Sequence, residues 1–184
     1  HLGVEVKVEQ QMQRLVTIAS LCNTSSLVRK TEEPKADQTL IEVIELEPKD
    51  ETQETDQDEN WISTGDPTEL ALNAFSQKLN MSKKSLESDQ LYRQVSEYPF
   101  DSTVKRMTVI YDELHEEEKY KLLVMTKGAP DRVVNLCSSA LVCGEEIEMS
   151  GEFAGQIRSQ NESLAKRGLR VISVAYKYID TNEL

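Results

Sequence analysis

Apolar residues recur every three or four positions near the start of the chain and every second position in its second half. The first pattern predicts an amphipathic helix over residues 8–22, whose apolar face packs against the core. Its apolar positions are Val8, Met12, Leu15, Val16, Ala19 and Cys22. The alternating pattern predicts strands over residues 92–98, 104–112 and 119–126, and the last two form an antiparallel hairpin.

Capping residues predict a helix that begins at Pro67. Asp66 precedes this proline and can accept hydrogen bonds from free helix amides, and Glu69 stands at the spacing of a capping box. The apolar spacing that follows predicts a buried stripe on this helix. The stripe consists of Leu70, Ala71, Ala74, Phe75 and Leu79.

Three further elements complete the predicted fold. Pro130 begins a short helix that extends to Cys137, and residues 153–166 form a helix that Gly168 ends. Residues 169–179 form a strand with β-branched residues. The predicted fold class is therefore α+β, a twisted antiparallel β-sheet flanked by helices.

Negative charge is concentrated in one segment of the chain. Residues 31–60 hold twelve acidic residues against Lys35 and Lys49, which gives -10 of the total charge of -12. We expect a single domain over residues 1–184, with residues 31–60 as an acidic, partly mobile insertion that contains a strand-like island at residues 40–46. The nearly neutral remainder is compatible with an anionic ligand, whereas the acidic total disfavours binding of nucleic acid.

Other features of the sequence exclude several classes of site. The three cysteines show no C-x-x-C spacing, which favours reduced thiols, and no run of about 18 apolar residues predicts a membrane-spanning segment. Glycine-rich phosphate loops, nucleophile elbows and histidine pairs at metal-ligand spacing are also missing from the sequence. A bound nucleotide would therefore be held by side chains. The chain stops directly after a predicted strand, so we expect it to be part of a longer protein.

Four segments form a set of short motifs: residues 65–72 (GDPTELAL), 98–107 (YPFDSTVKRM), 127–131 (KGAPD) and 166–175 (KRGLRVISVA). In the same order, they resemble the signature motifs of the nucleotide-binding domain of type II P-type cation-transporting ATPases. The sequences of residues 65–69 and 97–102 are most similar to those of the fungal and protist sodium/potassium-efflux pumps. Calcium-transporting pumps share the same set of motifs.

The resemblance implies an ATP-binding site built from side chains. Phe100 would stack on the adenine ring, Lys127 would line the pocket, and Lys105 and Arg170 would approach the phosphates. The remaining implied ATP-binding residues are Glu69, Thr68, Gly128 and Ser102.

Each residue also has an interpretation without a ligand. Phe100 could be a core side chain, both lysines could face solvent, and Arg170 could form an ion pair with a surface acid. The resemblance implies that Glu69 accepts a hydrogen bond from the adenine amino group, whereas the local sequence explains it equally well as a helix cap.

The sequence departs from the family pattern at two positions. Asp131 replaces the usual glutamate, which we expect to affect helix capping alone. Ser102 stands where calcium pumps often carry an arginine, so weaker phosphate contacts are expected there.

The resemblance further implies a role within a larger enzyme. The Asp-Lys-Thr-Gly-Thr phosphorylation motif is not in this sequence, so we expect the chain to bind ATP or ADP without turnover, with no catalytic or metal-binding residue of its own. Mg²⁺ would act in the full-length enzyme. The implied partners are the phosphorylation and actuator domains of a cation pump. The implied location is the cytoplasmic side of the plasma membrane, with an internal membrane as the alternative.

Two other hypotheses come from different classes of function. The acidic residues 31–60 could dock a basic partner, although such charge runs are more often simply solvated. A stand-alone phosphohydrolase is disfavoured, because the sequence contains no catalytic aspartate motif and no metal-ligand cluster. The transported ion is not encoded here, since selectivity in such pumps resides in membrane helices.

Overall fold

The computed structural model of the chain describes residues 2–29, 61–89, 91–114 and 121–183. In chain order its helices and strands are α1 (Leu2–Leu21), β1 (Ser26–Arg29), β2 (Trp61–Thr64), α2 (Pro67–Lys78), α3 (Lys83–Ser88), β3 (Tyr92–Asp101), β4 (Arg106–Glu113), β5 (Lys121–Gly128), α4 (Pro130–Val133), β6 (Ser139–Val142), β7 (Glu145–Glu148), α5 (Gly151–Lys166) and β8 (Ser173–Asp180). Short 3₁₀ turns, Val134–Leu136 and Thr181–Glu183, follow α4 and β8.

The largest sheet is antiparallel and has the order β3-β4-β5-β8. Two-stranded sheets, β1-β2 and β6-β7, lie outside it. The α+β fold class is therefore confirmed. The predicted strand island at residues 40–46, and the whole acidic segment 31–60, lie outside the described residues.

The core forms where α1 packs over the central strands of this sheet. Alternate residues of β4 and β5 point to α1, and the last turns of α1 supply the other half of the core. The predicted apolar face of this helix is wrong at Met12 and Leu15, which are exposed, because Ile18 and Leu21 are the residues that contact the sheet. The core side chains with almost no exposure are Ile18, Leu21, Cys22, Met107, Val109, Tyr111, Leu123 and Met125. Full burial of each large apolar side chain is worth about 1.5–3 kcal/mol, so this interface fixes α1 on the sheet.

Most predicted elements are confirmed, with shifted ends. The hairpin of β4 and β5, the helix that starts at Pro67 and the helix that ends before Gly168 are all present. The first helix begins at Leu2, earlier than predicted, and the last strand begins only at Ser173. Residues 169–172 therefore do not form the predicted start of a strand.

The buried stripe predicted for α2 is wrong. Phe75 and Leu79 are exposed, and Ser76 is the buried residue of this helix. The reason is that α2 turns polar side chains towards β1: Asn73 Nδ2 donates to Ser25 O at 3.0 Å, and Gln77 Nε2 donates to Leu27 O at 3.0 Å. These bonds satisfy main-chain carbonyls at the edge of the small sheet, and helical spacing alone does not predict them.

The three cysteines are free and differ in exposure, which gives a test by thiol chemistry. Cys22 is buried, its Sγ lies 3.7 Å from Met107 O, and burial raises the pKa of its thiol to about 12. Because the thiolate is the reactive form, we expect Cys22 to resist an aromatic disulfide reagent at pH 8. Exposed Cys143 should react first and half-buried Cys137 more slowly. Reaction of Cys22 at the rate of Cys143 in folded protein would contradict this assignment.

Candidate functional site

The start of α2 is fixed by three consecutive residues. Gly65 has a φ of +131°, and a Cβ there would lie 2.7 Å from Ser25 Cβ, so the close approach to Ser25, directly before β1, requires glycine. Asp66 Oδ1 accepts a hydrogen bond from Thr68 N at 2.8 Å, which together with other bonds to Thr68 holds the pKa of Asp66 below its ordinary value. Pro67 occupies the first helical turn. This cap places Thr68 and Glu69 beside the sheet.

Glu69 forms a nearly buried ion pair instead of completing a capping box. Its Oε1 accepts from Lys127 Nζ at 2.6 Å, and its Oε2 accepts from Thr24 Oγ1 at 2.5 Å and Thr24 N at 3.2 Å. The helix-cap interpretation of Glu69 is therefore wrong, because its carboxylate pairs with Lys127 at the end of β5. Burial alone would raise the pKa of Glu69, but the bonds from Lys127 and Thr24 outweigh burial and lower it.

Lys127 is buried, which contradicts the interpretation of this residue as a solvent-facing lysine. In the register of the sheet it lies opposite Met107 on β4 and Val174 on β8, so its side chain shares the face that packs against α1. The aliphatic part of the Lys127 side chain therefore lies against apolar surface, and its ammonium forms an ion pair with Glu69. This arrangement is expected of a long cationic side chain at the border of a core.

Gly128 allows the end of β5 to pack closely against the turn between β3 and β4. A Cβ on Gly128 would lie 2.4 Å from Lys105 O and 2.8 Å from Arg106 Cα, so a larger residue would push the strands apart. Ala129 N donates to Lys105 O at 3.0 Å, and Lys105 itself adopts a φ of 52°. Gly128 thus has a steric role beside its predicted nucleotide contact.

The turn between β3 and β4 carries two of the predicted residues, Ser102 and Lys105. Asp101 Oδ1 accepts from Thr103 N at 2.6 Å and from Val104 N at 3.2 Å, so the turn is closed by a side chain. Ser102 and Lys105 are both exposed on it. Their side chains are therefore accessible to a ligand at this end of the sheet.

Phe100 lies at a bulge of β3 and is 59% exposed. Tyr98 pairs with Thr108 and Asp101 with Arg106, so Pro99 and Phe100 together oppose Met107. Because Asp101 pairs with Arg106, side-chain alternation along the strand assigns the preceding residue, Phe100, to the face of Met107 and Lys127. The interpretation of Phe100 as a core residue is therefore wrong.

Arg170 lies in the irregular segment before β8, not at the start of a buried strand. Its Nη1 donates to Thr68 Oγ1 at 2.6 Å, and its charge contributes to the lowered pKa of Asp66. The bond joins Arg170 to the capped start of α2, so the surface ion pair proposed as its alternative is not the contact observed.

The predicted residues therefore converge on one end of the sheet. Thr68, Glu69, Lys127 and Arg170 are linked through α2, and the turn that holds Ser102 and Lys105 is locked against Gly128. Sequence reasoning missed Thr24, which contacts Glu69 from 45 positions away. In the described part of the chain, no group of three or more His, Cys, Asp or Glu side chains is placed to hold a metal ion. No helix described there is long and apolar enough to cross a bilayer.

Comparison with known proteins gives the family. The family model described as P-type ATPase, cytoplasmic domain N, matches residues 11–184. A sodium/potassium exporting P-type ATPase of Schizosaccharomyces pombe is 40% identical over 120 residues, 65% of this chain and 11% of that protein. A calcium-transporting ATPase of Bacillus subtilis is 29% identical over 180 residues, 98% of this chain and 16% of that protein. The chain thus spans a small part of the length of these relatives. It belongs to the cytoplasmic N domains of type II P-type ATPases.

Proposed function

We propose that this domain binds adenine nucleotide and positions ATP for phosphorylation of an aspartate in a separate domain of a cation pump. The observation that carries the proposal is the exposed ring of Phe100 on the same sheet face as the Lys127–Glu69 pair. An aromatic ring left this accessible is a suitable stacking surface for a base. The family match supports the same role.

The cationic side chains of Arg170 and Lys105 at this end of the sheet are suited to bind the phosphates of ATP. Arg170 and Lys105 are both exposed. Arg170 lies in the irregular segment before β8 and is bonded to Thr68 at the capped start of α2, and Lys105 lies on the turn that packs against Gly128. Guanidinium and ammonium groups are the usual partners of phosphate oxygens. The carboxylate of Glu69 lies at this end of the sheet beside Lys127, where it can accept a hydrogen bond from the adenine amino group. Thr68, Gly128 and Ser102 complete the proposed set.

The proposed contribution to catalysis is positioning. Phosphoryl transfer depends on in-line placement of the reacting groups and on neutralisation of charge, with Mg²⁺ bridging phosphate oxygens. We assign the acceptor aspartate and the Mg²⁺ ligands to other domains of the pump. The phosphorylation and actuator domains are the proposed partners, and the proposed place of this domain is the cytoplasmic face of the membrane that holds the pump.

For the transported ion we propose sodium or potassium efflux. The motif sequences at residues 65–69 and 97–102 favour this class, and the Schizosaccharomyces pombe relative is named a sodium/potassium exporting ATPase. Calcium transport is the alternative, because the Bacillus subtilis relative that covers nearly the whole chain is named for it. Phosphorylation of the full-length pump by ATP in the presence of Na⁺, K⁺ or Ca²⁺ alone distinguishes the two.

Substitution of Phe100 by alanine tests the nucleotide proposal. We expect the dissociation constant of ATP to rise roughly 5- to 150-fold, since stacking of a base on an aromatic ring is worth about 1–3 kcal/mol. Isothermal titration calorimetry measures the change. In the parent domain, ATP should also shift the backbone amide signals of Phe100, Lys127 and Arg170.

Tyr98→Ala is the matched control. Tyr98 is as accessible as Phe100 and lies two residues away, but it pairs with Thr108 and shares that residue's side of the sheet. We expect this variant to bind ATP like the parent. Equal losses in the two variants, or no shift of the three amide signals at saturating ATP, would contradict the proposed site.

A further inference from the structure

Thr24 contacts the proposed nucleotide site from the end of α1, outside the motifs that the family resemblance covers. Both of its donors reach one atom: Oγ1 and N donate to Glu69 Oε2 at 2.5 Å and 3.2 Å. The other carboxylate oxygen, Oε1, accepts from Lys127 Nζ at 2.6 Å. Each oxygen of Glu69 thus has its own partner from a different element.

This division of partners fixes the orientation of the carboxylate. The last torsion of a glutamate side chain has a broad energy minimum, so an unconstrained carboxylate samples many orientations. Two donors on Oε2 stop this rotation and direct Oε1 at the Lys127 ammonium. Charge-assisted bonds of this kind are stronger than neutral ones.

Asn23 holds the main chain of Glu69 in the same way. Its Nδ2 donates to Glu69 O at 2.9 Å and to Ala19 O at 3.2 Å, while its Oδ1 accepts from Ser25 N at 2.8 Å. Asn23 is buried, which makes it part of the support of the fold, whereas Thr24 is exposed. Adjacent residues therefore fix the backbone and the side chain of Glu69.

We propose that Thr24 is a positioning residue of the nucleotide site, whose hydroxyl orients the Glu69 carboxylate and thereby holds the Lys127 ammonium in place at this end of the sheet. The proposal rests on the proposed function of Glu69 and Lys127 in nucleotide binding. In this proposal Thr24 acts through Glu69, to which its hydroxyl and its amide both donate.

Titratable groups from two other parts of the fold interact with Glu69. Lys127 donates to its carboxylate from β5, and the Cys22 thiol, directly after α1, lies near enough for the two groups to interact electrostatically. Cys22 remains a neutral thiol at ordinary pH, because burial raises its pKa to about 12. Removal of the Thr24 hydroxyl therefore changes the ionisation of Glu69 directly, by removing a donor to its charged form.

The test compares Thr24→Val with Thr24→Ser. Valine keeps the shape and the amide donor of Thr24 and removes only the hydroxyl, and serine restores the hydroxyl. For Thr24→Val we expect the dissociation constant of ATP to rise about tenfold, the scale of one hydrogen bond to a charged group. The pKa of the Glu69 carboxyl should rise in the nucleotide-free domain, followed by ¹³C NMR. Thr24→Ser should restore both properties.

The outcomes distinguish failure of the positioning role of Thr24 from failure of the proposed nucleotide site. If Phe100→Ala weakens ATP binding and Thr24→Val changes neither ATP binding nor the Glu69 titration, the positioning role is wrong and the nucleotide site stands. If Thr24→Ser behaves like Thr24→Val, the hydroxyl is not the cause and the proposal is also wrong. Absence of ATP binding in the parent domain overturns both proposals together.

Discussion

Replacement of Lys127 by methionine is expected to lower the free energy of unfolding by about 3–5 kcal/mol. The side chains of Lys127 and Glu69 are only 8% and 14% exposed, with 2.6 Å between Nζ and Oε1. Methionine keeps the length of the stem but removes the charge, so among the described residues Thr24 alone still donates to the carboxylate of Glu69. Such a carboxylate is poorly compensated out of water. Urea unfolding at neutral pH measures the loss.

Two further variants separate this effect from the loss of any lysine. Lys105→Met removes an exposed ammonium and is expected to leave stability within about 0.5 kcal/mol of the parent while weakening ATP binding. The double variant Glu69→Gln, Lys127→Met removes both charges and should be more stable than Lys127→Met alone. A Lys127→Met variant as stable as Lys105→Met would show that the pair contributes nothing to folding.

The elements that the sequence predicted correctly are those with local causes. The β4–β5 hairpin follows from residue alternation, and α2 starts at Pro67 because Asp66 caps it through Thr68 N. In both cases the information lies within a few residues. The α2 face was predicted wrongly because its partner, β1, pairs with β2 across an interval of more than thirty residues. No pattern within a few residues of α2 predicts the pairing of β1 with β2.

The β6–β7 hairpin was missed for a specific reason. Its two-residue turn, Cys143-Gly144, has φ angles of 51° and 80°, the signs of a type I′ turn. Such turns usually carry Asn-Gly or Asp-Gly, and a cysteine in the first position hides the signal. Gln11 of α1 helps to hold the turn, since its Oε1 accepts from Gly144 N at 2.8 Å.

The site shows the same division between local motifs and long-range contacts. The motifs named Phe100, Lys127 and Glu69, and the structure places these three on one face of the sheet or at its border. The motifs did not give Thr24, the partner of Glu69 Oε2. That partner depends on how α1 is placed over β5, so Thr24 enters the site only through tertiary packing.

A second charged cluster, at the opposite end of the sheet, joins α1 to two strands. Arg14 Nη1 donates to Glu113 Oε1 at 2.6 Å, and Nη2 donates to the Tyr178 hydroxyl at 3.0 Å. Tyr178 in turn donates to Glu113 Oε2. The guanidinium also lies over the rings of Tyr176 and Tyr178, with its centre 5.3 Å and 5.9 Å from the ring centroids. Arg14 therefore holds α1 to both β4 and β8.

We expect Arg14→Met to destabilise the fold by about 3–5 kcal/mol at neutral pH, because the Glu113 side chain is 2% exposed and loses its cation. Arg93→Met is the matched control: the Arg93–Asp112 pair has the same 2.6 Å separation, but Arg93 is 69% exposed. Its loss should cost about 1 kcal/mol or less. Equal losses in the two variants would mean that burial does not decide the contribution of these pairs.

The cost of Arg14→Met should also depend on pH. Burial raises the pKa of Glu113, but the bonds from Tyr178 and Arg14 and the charge of Arg14 outweigh burial and hold this pKa below its ordinary value. The pair therefore stabilises the fold fully above the unfolded-state pKa, and its contribution is lost as pH falls through the lower folded-state pKa. In urea titrations from about pH 7 to about pH 3, the stability difference between parent and Arg14→Met should shrink. A difference that stays constant on acidification would mean that packing of the Arg14 stem, and not its charge, holds α1 on the sheet.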